Sequence, residues 1–247
     1  MSSASNWFPP RTSVPTEALF DDAEPLSDRL RLGVVAGFLP VVLTSMWVAS
    51  YVGLVGPEAE VTRAVVDAGY GLAGIAVLGG VYLVLGERER RATIRFTAPG
   101  RTELLWTAIC LPLAVGAFLL GSSVGELLGY ELGGLEYSLS DPVTVAAVVF
   151  AGVVVAPVVE EILFRGLLLG SLLGRGTSPA VAGGATVLLF ASMHLVSLGV
   201  AGVLAIAGWA VFPTLLRLRF NNLTGAWLLH VLNNVYSYLV VVALGLA

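Results

Sequence analysis

The run PVTVAAVVFAGVVVAPVVEEILFRGLLLGSLL, residues 142 to 173, decides the fold. A membrane-crossing helix needs roughly 20 apolar residues at 1.5 Å rise each, and this run exceeds that length. It also carries three charges in six residues, Glu160, Glu161 and Arg165. Ionisable groups at membrane depth cost several kcal/mol unless they are paired or wet, so each of them marks a candidate functional site. Glu161 and Arg165 stand four apart, share a helix face and can form an ion pair. Glu160 points about 100° away, so its partner must come from another helix.

Working outward, the rest of the chain is equally apolar. Of its 247 residues, 57% are hydrophobic and only 12% charged, against about 25% charged in soluble domains. We expect an all-α, polytopic transmembrane bundle in the cell membrane with about seven spans. They lie near residues 32–55, 64–86, 103–128, 142–173, 179–197, 200–216 and 223–246. Residues 1–28, rich in Ser, Pro and acid, read as a disordered cytoplasmic tail, and residues 29–247 as the bundle. The single cysteine, Cys110, has no intrachain disulfide partner. A formal charge of −4 and the absence of a basic tract exclude a nucleic-acid partner. All basic residues are arginine, which together with abundant Gly, Ala and Val suggests a GC-rich prokaryotic genome.

Arginines flanking spans are retained on the cytoplasmic side. Arg29 and Arg31 precede the first span. Arg88, Arg90, Arg91, Arg95 and Arg101 fill the second connection, Arg175 lies in the fourth, and Arg217 and Arg219 lie in the sixth. These are alternate connections, so the N-terminus is expected inside. The opposite side holds Arg63 and the acidic stretch YELGGLEYSLSD.

Two further polar clusters break the apolar pattern. In FASMH, Phe190 and His194 are four apart. In HVLNN, His230, Asn233 and Asn234 form one stripe, which could equally be interhelical glue. The turn GRGTSP folds residues 142–197 into a hairpin that brings Glu160 and His194 within roughly 3 Å of the same depth. Asp67 and Glu103 read as interfacial residues, solvated or snorkelling. A carboxylate and an imidazole in a sheltered cavity can deprotonate a water, while a second imidazole and an amide can stabilise an oxyanion. The chain contains no HExxH, GxSG or GxGD motif, which excludes those metal, serine and aspartate schemes.

The set EEILFR, FASMH and HVLNN resembles the CAAX protease and bacteriocin-processing family of intramembrane endopeptidases, whose motifs read EExxxR, FxxxH and HxxxN. The resemblance covers about residues 142–240. It implies that Glu160 and His194 activate the water and that His230 and Asn234 meet the oxyanion. Glu161 and Arg165 would support the site or orient substrate, and Phe190 would pack beneath His194. It further implies hydrolysis of a peptide or membrane-anchored protein near the cytoplasmic membrane face, from a cavity open to cytosol and lipid. A metal-free site is favoured, because Asn234 is a natural oxyanion donor and a poor zinc ligand. The alternative is zinc held by Glu160, His194 and His230. A rival reading is a non-catalytic immunity factor or small transporter that uses the same polar cavity.

Overall fold

The computed structural model describes residues 16–56 and 58–245, and they are all-helical, with no strand among them. We number the helices α1 (Thr16–Ala23), α2 (Leu30–Val55), α3 (Arg63–Val84), α4 (Glu87–Thr93), α5 (Arg101–Leu127), α6 (Pro142–Gly174), α7 (Pro179–Ser192), α8 (Leu195–Phe220) and α9 (Thr224–Ala243). Of these, α2, α3, α5, α6, α8 and α9 are long and apolar enough to cross a membrane, and α7 is a shorter apolar helix. The chain is a multi-pass membrane protein.

Two boundaries differ from expectation. The span expected over 179–197 stops at Ser192 after 14 residues, roughly 21 Å of rise. The span expected over 200–216 is extended to Leu195–Phe220. Met193 and His194 form a turn between the two, but the helical path itself breaks at Gly199 (φ 68°), in a backbone that only glycine adopts easily, so the expected division between residues 197 and 200 falls at that break.

The tail also needs correcting. Residues 1–15 lie outside the described residues, but 16–26 are helical, with Leu19, Ala23 and Leu26 buried. Leu26 rests on Gly170, and the Ala23 carbonyl lies against Gly174, so this segment caps the end of α6. Asp22 adds an ion pair to Arg95 at 2.9 Å and accepts from Asn221 at 2.6 Å.

Helix α6 is central. Asp141 starts it by accepting from the Val143 and Thr144 amides at 3.1 Å each, as an N-cap does. Glycines let α2 and α3 approach it: Gly37 faces the Phe164 ring, Gly71 faces Ala151, and Gly74 faces Val159. Small residues likewise seat α5 on α8, where a Cβ at Gly121 would meet the Leu204 carbonyl at 2.5 Å. In lipid, where apolar burial alone gives little drive, such close backbone packing holds helices together. Leu54, Leu83 and Leu127 accordingly face outward, more than three-quarters exposed, as lipid contact allows.

The arginine-bearing connections meet at one end of the bundle. Arg29 pairs with Glu89 at 2.6 Å, Arg95 donates to the Asn221 carbonyl, and Arg175 donates to that of Ser27. Glu103 is buried there, not snorkelling. It accepts from Asn222 at 3.0 and 3.1 Å and from the Gly225 amide at 2.8 Å, so a carboxylate on α5 caps the first turn of α9.

Candidate active site

Glu160 closes a short α-helical segment of α6, Ala156–Glu160, set between two π-wound segments, Val148–Val155 and Glu161–Leu168. Pro157 lies in the interior of α6 and supplies no N–H to the turn before it. Turns of π type are rare and recur at functional sites. Here the winding changes between the two glutamates, so Glu160 lines a cavity while Glu161, fully buried, faces the helix packing.

The expected ion pair forms. Arg165 Nη1 donates to Glu161 Oε1 at 3.1 Å, Nε to Thr214 Oγ1 at 3.3 Å, and Nη2 to the Ala210 carbonyl at 3.4 Å. The guanidinium also lies 4.2 Å from the centre of the Phe190 ring, a cation–π contact. Arg165 is fully buried, and it ties α6 to α7 and α8.

His230 joins the two glutamates. Its Nδ1 lies 2.9 Å from Glu161 Oε1, and its Nε2 lies 3.7 Å from Glu160 Oε2. The longer separation is too great for a direct hydrogen bond and suits a bridging water. Trp209 packs against the imidazole with ring centres 4.7 Å apart.

His194 occupies the turn between α7 and α8. Its Nδ1 is 3.0 Å from the Phe190 carbonyl, which only accepts, so Nδ1 carries the hydrogen and the neutral ring keeps its lone pair on Nε2. Phe190 lies under the ring at 5.1 Å, as the resemblance implied. Asn234 Nδ2 donates to the Gly152 carbonyl at 2.8 Å, which uses one of its two amide hydrogens.

Glu160, His194, His230 and Asn234 line one cavity of about 710 Å³. The structure thus brings together side chains from α6, the α7–α8 turn and α9. Glu161, Arg165 and Phe190 stand behind or beneath them, and Asn233 lies on the same wall.

One close partner was not foreseen. Tyr70, on α3, donates to Glu160 Oε1 at 2.6 Å. It belongs to no motif, and its only trace in the sequence is a tyrosine in the small-residue run DAGYGLAG. Asp67, read as solvated, is buried, accepts from Arg63 at 2.9 Å, and lines the same cavity. That pair is another i, i+4 match, which sets two neutralising charges against the cavity rather than against water.

No three His, Cys, Asp or Glu side chains stand close enough to share a metal ion among the described residues. Both histidines engage a carboxylate or carbonyl through Nδ1 and leave Nε2 free, so the orientation of their rings would also suit a metal ligand.

No curated protein and no solved structure is a match to the chain. Residues 142–236 match the family model described as type II CAAX prenyl endopeptidase Rce1-like. The matched segment contains Glu160, His194, His230 and Asn234, and over those residues the chain is similar to Rce1-like endopeptidases.

Proposed function

We propose that the protein is an intramembrane endopeptidase that hydrolyses a peptide bond with a water activated by Glu160 and His194. The observation that carries this reading is the convergence of Glu160, His194, His230 and Asn234 on one sheltered cavity. A water held by Glu160 Oε2 and His194 Nε2 gives up a proton as its oxygen bonds to the scissile carbonyl carbon. The carbonyl oxygen becomes an oxyanion, which accepts hydrogen bonds from the free amide N–H of Asn234 and from His230 Nε2–H. The proton held by the base then passes to the leaving nitrogen, the C–N bond breaks, and a carboxylate and an amine are released.

The oxyanion role places a requirement on the form of His230. Its Nδ1 donates to Glu161, so it donates from Nε2 only as the imidazolium. In that form Glu160, Glu161, Arg165 and His230 sum to no net charge, the arrangement least costly in a low-dielectric interior. Tyr70 fixes the carboxylate of Glu160 by holding the oxygen that does not face His230.

Purified protein, assayed with a quenched peptide, tests the reading against Glu160→Gln and His194→Ala. Loss of turnover in both supports it, and equal turnover by all three proteins sinks it. Metal content of the active protein, measured with a chelator titration, separates water activation by Glu160 from a zinc scheme. The non-catalytic alternative predicts that binding or phenotype survives Glu160→Gln.

A further inference from the structure

The cavity reaches only one end of the bundle. From α2 it takes Val41 to Ala49, in the half that ends at Val55, and from α3 it takes Arg63 to Tyr70, the first two turns. Gly134 and Leu135 of the α5–α6 connection and Ser197 in the first turn of α8 also line it. No residue of the arginine-rich connections lines it. Below Glu160, every residue from Glu161 to Gly170 is buried, so the floor toward the arginine end is closed by packed side chains and by the Glu161–Arg165 pair.

The α5–α6 connection, residues 128–141, forms a pinned rim. The Gly133 amide donates to the Leu198 carbonyl at 3.0 Å, and Tyr137 Oη donates to the Tyr238 carbonyl at 2.7 Å. Arg63 lies over the rings of Tyr137 and Tyr238 at 5.4 and 4.9 Å.

Arginine-rich connections stay in the cytoplasm, so the mouth faces the other side. We infer that the site admits its substrate from the non-cytoplasmic face of the membrane and acts on a short extended segment of an exported or membrane-anchored polypeptide there. This rests on the peptidase reading. The size of the cavity agrees, since about 710 Å³ lies in the range of ligand pockets, roughly 300–1,000 Å³, and accommodates an extended stretch rather than a folded domain. The orientation is opposite to that implied by the family resemblance, and it follows from where the arginines and the cavity lie in this chain.

Sealed vesicles of either orientation, carrying the full-length protein and given a membrane-impermeant quenched peptide, read the sidedness. Right-side-out vesicles are expected to cut at least about tenfold faster than everted ones, with detergent abolishing the difference. Faster cleavage by sealed everted vesicles overturns the inference. In parallel, Ser138→Cys and Ser178→Cys in a Cys110→Ala background place exposed thiols on the rim and at the arginine end. An impermeant maleimide added to intact cells is expected to label Ser138→Cys alone, and labelling of Ser178→Cys alone overturns the orientation. If wild type and Glu160→Gln are equally inert in detergent, the peptidase reading falls, and the cysteine pair then decides the sidedness by itself.

Discussion

Tyr70→Phe removes one oxygen and leaves the ring. In the structure that oxygen donates to Glu160 Oε1 at 2.6 Å, the short range of a charge-assisted bond. Such bonds contribute about 1.5–3 kcal/mol. If all of that is spent holding the catalytic carboxylate, division by 1.36 kcal/mol per decade gives a loss of roughly 10- to 150-fold in kcat. KM is expected to stay within about threefold, because Tyr70 acts through Glu160 and not as the main contact of the substrate. Steady-state kinetics on the quenched peptide measures the split, and thermal unfolding in detergent checks that the folded fraction is unchanged. Combining Tyr70→Phe with Glu160→Gln is expected to cost no more than Glu160→Gln alone, since both changes break the same interaction. A variant with wild-type kcat, or one whose loss merely tracks the unfolded fraction, refutes the positioning role.

Arg165→Leu strips the neutralising charge from fully buried Glu161 and is expected to cost about 3–5 kcal/mol; thermal unfolding measures it, and Glu161→Leu added to it is expected to restore part of the loss. Asn234→Ala removes an oxyanion donor and is expected to lower kcat by about 10²–10³, with turnover on the same peptide as readout. The Arg29 guanidinium beside Glu89 holds its carboxyl below the usual carboxylate range. That pair therefore contributes above the ordinary carboxylate pKa, and its contribution is lost as pH falls through the lowered value. Because both groups are partly exposed, Glu89→Gln is expected to cost under about 1 kcal/mol at neutral pH and nothing in strong acid, measured by unfolding at the two pH values.

The bundle and the polar convergence were legible because each rests on local pattern. Long apolar runs specify helices, and i, i+4 spacing specifies the Glu161–Arg165 pair and the stacking of Phe190 under His194. What escaped depends on contacts between distant elements. The hydroxyl of Tyr70 meets Glu160 across 90 positions of sequence, and nothing local distinguishes it from a packing tyrosine. Glu103 looked interfacial from its place near the start of a span, yet α5 and α9 cross so that it caps the other helix. The turn at His194 was hidden because its flanks, Leu195 and Val196, are as apolar as a helix interior. Residues 16–26 carry too little apolar periodicity to declare a helix, and the glycines of α6 supply the surface that orders them.

The Glu161–Arg165–His230 cluster has a consequence for how this protein can drift over time. Arg165 is held by one carboxylate, one hydroxyl and one carbonyl, and Glu161 by the arginine and the histidine, with no exposed surface on either of the two. A single substitution at position 161 or 165 strands an opposite charge, so the two positions are coupled. Among descendants of this sequence they will be replaced together or kept together, whereas Tyr70, which touches only one oxygen of Glu160, is free to change alone at the expense of rate.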